Sequence, residues 1–118
     1  MSNQVKIKIT DLIGSSLCIS AEDGQKIYEK IVNLLDAKKN VNISFENVTM
    51  IISLFLNISI GQLYGKYSED FIKSNIKVEG LFDDDLELLK RVVDNAKKYY
   101  SNRESYDTAW MEEEDNEE

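Results

Sequence analysis

The sequence predicts an α/β domain: a small, mixed but mostly parallel β-sheet packed by helices. Three observations carry this. Apolar residues alternate at a period of two in three short runs, they recur at spacings of three and four in the longer runs between, and the two patterns take turns along the chain. The order strand, helix, strand, helix, strand, helix favours parallel neighbours joined by right-handed crossovers. A length of 118 residues suffices for one domain and one core.

The first strand is Val5, Ile7 and Ile9 alternating with Lys6, Lys8 and Thr10, which leaves one face wet. Ile13-Gly14-Ser15-Ser16 turns the chain. Ser20, followed by Asp23, is an N-cap with an acidic first turn, so a helix starts near Ala21. Its core face is Ile27, Ile31, Leu34 and Leu35. Ala37-Lys38-Lys39-Asn40 closes it, with Asn40 as the residue that tolerates a left-handed cap.

Val41, Ile43 and Phe45 form the second strand, and Glu46-Asn47-Val48-Thr49 breaks it. A helix entered near Ser53 places Leu56, Ile60, Leu63, Tyr64 and Tyr67 on one stripe. Gly61 and Gly65 lie one turn apart within it, which predicts close approach by a neighbouring backbone. After a further turn or two at Ser68 to Ile72, Ile76 and Val78 give a third strand ending at Gly80. From Asp83, the stripe Leu86, Leu89, Val93, Ala96 and Tyr100 draws a helix, with Asp83, Asp84 and Asp85 at its N-terminus and Lys97 and Lys98 near its C-terminus, as the macrodipole favours. A metal site at the three aspartates is the alternative, but consecutive helical residues point in different directions.

Residues 1–100 are thus expected to form the domain, and 101–118 an acidic, mobile tail. That tail holds one Arg against eight Asp and Glu, a net −7 of the chain's −8, so the remaining hundred residues carry about −1. A nearly neutral domain lacks the concentrated cationic surface that nucleic acid requires. A single cysteine, Cys18, and no histidine remove a disulfide, the Cys-His nucleophile pair and nearly all zinc constellations. No catalytic motif, metal site or cofactor site is expected, and the chain is not expected to be an enzyme. The apolar run Met50 to Ile60 is shorter than the ~20 residues that cross a bilayer. Lys6 and Lys8 interrupt any signal-peptide core in Met1 to Thr10, so no membrane association and a cytoplasmic location are expected.

The run Val41 to Gly80, with Phe45-Glu46-Asn47-Val48 and Leu54-Phe55-Leu56-Asn57-Ile58-Ser59-Ile60-Gly61-Gln62-Leu63-Tyr64-Gly65 at its centre, resembles the STAS-like domain family of unknown function. That family looks related to the bacterial anti-sigma factor antagonists, and the resemblance extends from about Val5 to Tyr100. It implies a STAS-like fold, no cofactor, and signalling through a protein partner such as an anti-sigma factor or a histidine-kinase-type ATPase. It also implies a phosphorylatable serine at the start of the helix after a central strand. Ser53 is the nearest match and Thr49 the second, although Leu54 stands where the small or hydroxyl residue of that pattern is often found. A phosphate there would add about −1.5 to −2 charge near free backbone N–H groups. Read from the residues alone, Ser53 is an N-cap.

Ser53, Leu54, Phe55 and Asn57 are the candidate partner-binding residues in the domain, with Trp110 in the tail. Asn57 also reads as a buried amide bonded to nearby backbone. Phe55 and Ile58, on a second face of that helix, would support a homodimer. An alternative function is an acidic inhibitor or antitoxin-like protein that binds a basic partner through its C-terminal tail.

Overall fold

Residues 3–101 are described in the computed structural model of the chain. The elements run β1 (Gln4–Lys8), α1 (Ile9–Ile13), β2 (Leu17–Cys18), α2 (Ala21–Asp36), β3 (Asn40–Ser44), β4 (Met50–Ile51), α3 (Ser53–Ser59), a 3₁₀ turn (Gly61–Gly65), α4 (Glu69–Asn75), β5 (Ile76–Glu79) and α5 (Asp83–Ser101). β3 lies between β1 and β5, all parallel, while β2 and β4 form a separate parallel ribbon. This is the expected α/β arrangement, with two additional short strands.

The same two stretches of chain pair twice. Val5 faces Val41 in the sheet and Leu17 faces Met50 in the ribbon, so eight residues (9–16) on one path span the same gap as five (45–49) on the other. The longer path absorbs its excess as α1. Ile9, expected in the strand, opens that helix and is fully buried, because Ile9, Leu12 and Ile13 share a helical face turned toward the core. Gly14, at φ 68°, ends it by donating to the Thr10 carbonyl at 2.9 Å.

In the main sheet the alternation divides the two faces. Val5, Ile7, Val41, Ile43, Ile76 and Val78 enter the core with Ile27 and Ile31 of α2, Phe55 and Leu56 of α3, and Leu89 and Val92 of α5. On the other face Lys6, Asn42 and Lys77 stand in register beside Lys8, Ser44 and Glu79. This face is knit by Lys6–Glu79 at 3.4 Å, Lys8–Glu46 at 3.6 Å and the Asn42 amide donating to Glu79 Oε1. The Asn42 bond, and then Lys6, hold the Glu79 carboxyl below its ordinary range.

The Ser20 hydroxyl accepts from the Asp23 N–H at 2.9 Å and Ser68 does the same for Phe71 at 3.1 Å, so both caps form. At the end of α2 the left-handed residue is Lys38 (φ 65°) and not Asn40, which already pairs in β3. α2 and α3 pack closely at Gly24, where a Cβ would lie 3.1 Å from the Phe55 carbonyl oxygen. Gly61 and Gly65 open and close the 3₁₀ turn, and their close neighbours are side chains rather than backbone: Asn57 of α3, then Ala96 and Val92 of α5, at Gly61, and the Tyr100 ring at Gly65. Gly80, at φ 83°, has the Glu46 amide nitrogen only 2.8 Å from where a Cβ would stand.

On α5 the buried residues are Leu89, Val92 and Ala96, with Leu86 left exposed. Among the described residues no helix is long and apolar enough to cross a membrane.

Candidate interaction site

In a parallel sheet every strand ends at the same edge, and there the following helices begin. α2 follows β2, α3 follows β4 and α5 follows β5. The ribbon stands at this edge and alternates like any strand pair: Cys18 and Ile51 point inward and are buried, while Leu17 and Met50, directly paired, point outward. Ile19 and Ile52 continue the outward row in extended backbone, held by the Ile52 N–H donating to the Cys18 carbonyl at 3.1 Å. Leu54, in the first turn of α3, adds a fifth exposed apolar side chain, and Met50 is the most open of the five at 52% exposure.

Ser53 sits in this row as the first helical residue of α3. It is not the N-cap: Ile52, extended at φ −113° and ψ 159°, holds that position, and no side chain caps the helix. The Ser53 hydroxyl is exposed and makes no hydrogen bond with the described residues. Thr49 is engaged instead, its N–H donating to the Ser16 carbonyl at 2.8 Å and its hydroxyl to Ser16 Oγ at 3.1 Å.

Of the other expected partner-binding residues, Leu54 is exposed but Phe55 is fully buried, against the α2 crossing, and presents nothing to a partner or a second copy. Ile58 is half-buried beside Gly24. Asn57, read as a buried amide, is exposed and lines a 220 Å³ cleft between α3 and α5 with Gly61, Asn95, Ala96, Tyr99 and Tyr100. Trp110 lies outside the described residues, as does all of the tail beyond Ser101. Leu17, Ile19, Met50 and Ile52 had no signal in the sequence, because strands of two residues are too short to show a period.

Burial, followed by the Asp23 and Asp85 charges, pushes the Cys18 thiol up to about 12, so it stays protonated and unreactive at neutral pH. The parallel pairing of the strands brings the acidic first turns of α2 and α5 to this same edge. Glu69 is held low by its 2.8 Å ion pair with Lys97, and with Glu79 it is a carboxylate shifted downward and open to water. Among the described residues no group of three or more acidic, cysteine or histidine side chains could hold a metal ion.

A two-layer α/β domain of parallel strands with its exposed apolar surface gathered at the helix-starting edge has the layout of a STAS-like fold. Residues 23–86 match the family described as the STAS-like domain of unknown function (DUF4325), and the chain belongs to that family. No curated protein and no solved structure matches the chain.

Proposed function

We propose that the chain is a non-catalytic regulatory module, similar in action to an anti-sigma factor antagonist, that binds a protein partner at the Ser53 edge. An anti-sigma factor or a histidine-kinase-type ATPase is the partner class that the family resemblance suggests. The single observation behind this reading is the unengaged Ser53 hydroxyl set between exposed Ile52 and Leu54 in a row of outward apolar side chains. Such a row leaves five large apolar side chains partly open to water and fits a surface that another protein covers.

Phosphorylation of Ser53 would put about −1.5 to −2 charge, with its hydration shell, in the middle of that row. An apolar contact formed over it would then desolvate a dianion, so the modified chain is released. Thr49 is the lesser candidate because its hydroxyl is already bonded to Ser16.

The test is a pull-down from native cell extract with wild type, Ser53→Glu, and a full-length variant whose eight tail carboxylates are changed to amides. A kinase-type ATPase or sigma-regulatory protein bound by wild type and by the tail variant, and lost with Ser53→Glu, supports the reading. Binding that ignores Ser53 and needs the tail carboxylates replaces it with an acidic inhibitor acting through residues 101–118.

A further inference from the structure

The three segments that build the helix-starting edge, residues 9–24, 45–65 and 80–89, contain Asp11, Glu22, Asp23, Glu46, Asp83, Asp84, Asp85 and Glu87 and not one Lys or Arg. Every one of the chain's 14 cationic side chains lies elsewhere. Lys8, at the end of β1, neutralises Glu46, which leaves seven acidic residues without a cation in these segments. The same segments hold seven of the nine large apolar side chains exposed among the described residues: Leu17, Ile19, Met50, Ile52, Leu54, Phe82 and Leu86. A domain that is close to neutral overall is therefore strongly polarised, with its apolar surface at the acidic pole.

We propose that this edge is a docking surface for an amphipathic segment of a partner protein whose apolar residues are flanked by Lys and Arg. The apolar row Leu17, Ile19, Met50, Ile52 and Leu54 receives the partner's apolar face, and the acidic first turns of α2 and α5 receive its cations. The proposal rests on the interaction reading above and specifies the partner's chemistry.

Charge decides against the other occupants. A second copy docking the same edge would set acid against acid, since a two-fold contact pairs like surfaces. Among the described residues, the basic remainder of a second copy exposes only Phe71 and Tyr99 as large apolar counterparts. An anionic bilayer is repelled for the same reason, and so is the chain's own acidic tail.

The probe is a synthetic amphipathic helix of about 14 residues with leucine on one face and lysine on the other, beside a counterpart carrying glutamate for lysine. Each is titrated into full-length ¹⁵N-labelled protein, and amide shifts are mapped by NMR. The lysine peptide is expected to shift Leu17, Ile19, Met50, Ile52 and the first turns of α2, α3 and α5, and the glutamate peptide to leave them unmoved.

Met50→Ser with Ile52→Ser is expected to weaken the lysine peptide about tenfold without altering the fold, since both side chains face water. Raising salt from about 50 to 500 mM weakens it several-fold more. Shifts confined to residues 102–118, equal binding of the glutamate peptide, or an unchanged affinity in the double variant would overturn the proposal. So would a concentration-dependent dimer of the free protein that the double variant abolishes, because the occupant is then a second copy.

The two readings fail separately. A native partner that Ser53→Glu does not release, with the peptide mapped to this edge, removes the switch and keeps the docking surface. A native partner retained by the Met50→Ser, Ile52→Ser variant keeps the interaction reading and removes this surface.

Discussion

The outer face of the main sheet and the outer face of the ribbon share two stretches of chain, with β5 added in the sheet, yet they meet water in opposite ways. In the sheet, β1, β3 and β5 turn Lys6, Lys8, Asn42, Lys77 and Glu79 toward water, with Ser44 of the same face buried, and join several of them in charge pairs and hydrogen bonds. In the ribbon, β2 and β4 turn Leu17 and Met50 outward, followed by Ile19 and Ile52. A parallel sheet is normally covered on both faces, and a polar outer face is how this one dispenses with a second helical layer. Among the described residues, the ribbon's outer face has neither cover nor polar side chains. The difference teaches that folding accounts for the sheet's outer face, while the ribbon's apolar face is the feature on which the proposed docking surface rests.

Adjacent residues of α3 give the sharpest test of that division. Phe55→Ala should cost about 3–5 kcal/mol, the range for deleting a fully buried phenylalanine, whereas Leu54→Ala next to it should cost under about 0.5 kcal/mol. Urea unfolding of both variants measures this, and comparable losses would mean that the Leu54 side is part of the core. A second test concerns where the sheet meets the turn after β3. Gly80→Ala should destabilise by about 1–3 kcal/mol, because the residue needs a positive φ and the Glu46 amide occupies the space of a Cβ. Thermal melting reads it, and a neutral result would place the strain elsewhere.

The ribbon's inner face should make itself known in alkali. The Cys18 thiol is raised from 9.0 to about 12 in the folded protein, chiefly by burial. Its contribution to stability is therefore complete below pH 9 and is lost as pH rises from 9 toward 12, where the unfolded chain ionises and the folded one does not. Tyr67 is raised from 10.0 to about 12, by burial and by its hydroxyl's bond to Asp36, and acts with the same sign from pH 10. Denaturant midpoints measured between pH 8 and 11 should fall for wild type and fall less for Cys18→Ala. The smallest effect belongs to Ser53→Ala. As an N-cap, Ser53 would cost ~1 kcal/mol to replace; as an exposed first helical residue it should cost less than about 0.5 kcal/mol, and calorimetry separates the two.

Much of the fold was legible because its signals are local. The Ser20 cap, the α2 stripe, the start of α5 at Asp83 and the β5 alternation before Gly80 each depend on residues within a few positions of one another. Ile9 misled because Val5, Ile7 and Ile9 alternate as a strand while Ile9, Leu12 and Ile13 also fit a helical turn. The extra length of that path between the two ladders decides for the turn. The candidate site was legible only in part. Ser53, Leu54 and Asn57 are exposed, as candidate partner-binding residues should be, and Asn57 is not the buried amide it also resembled, but the Phe55 ring goes inward.

By itself the sequence determined the class of fold, the three main strands, both long helices, the acidic tail and the absence of histidine, since these follow from periodicity, capping and composition. Only the tertiary structure decided that Met50 and Ile51 form a strand paired with Leu17 and Cys18, which of those residues face water, and that three separate acidic segments meet at one edge. The reason is physical. A pattern within one element states which side chains share a face, but whether that face is buried is settled by partners more than thirty residues away, brought alongside by the parallel pairing of the chain.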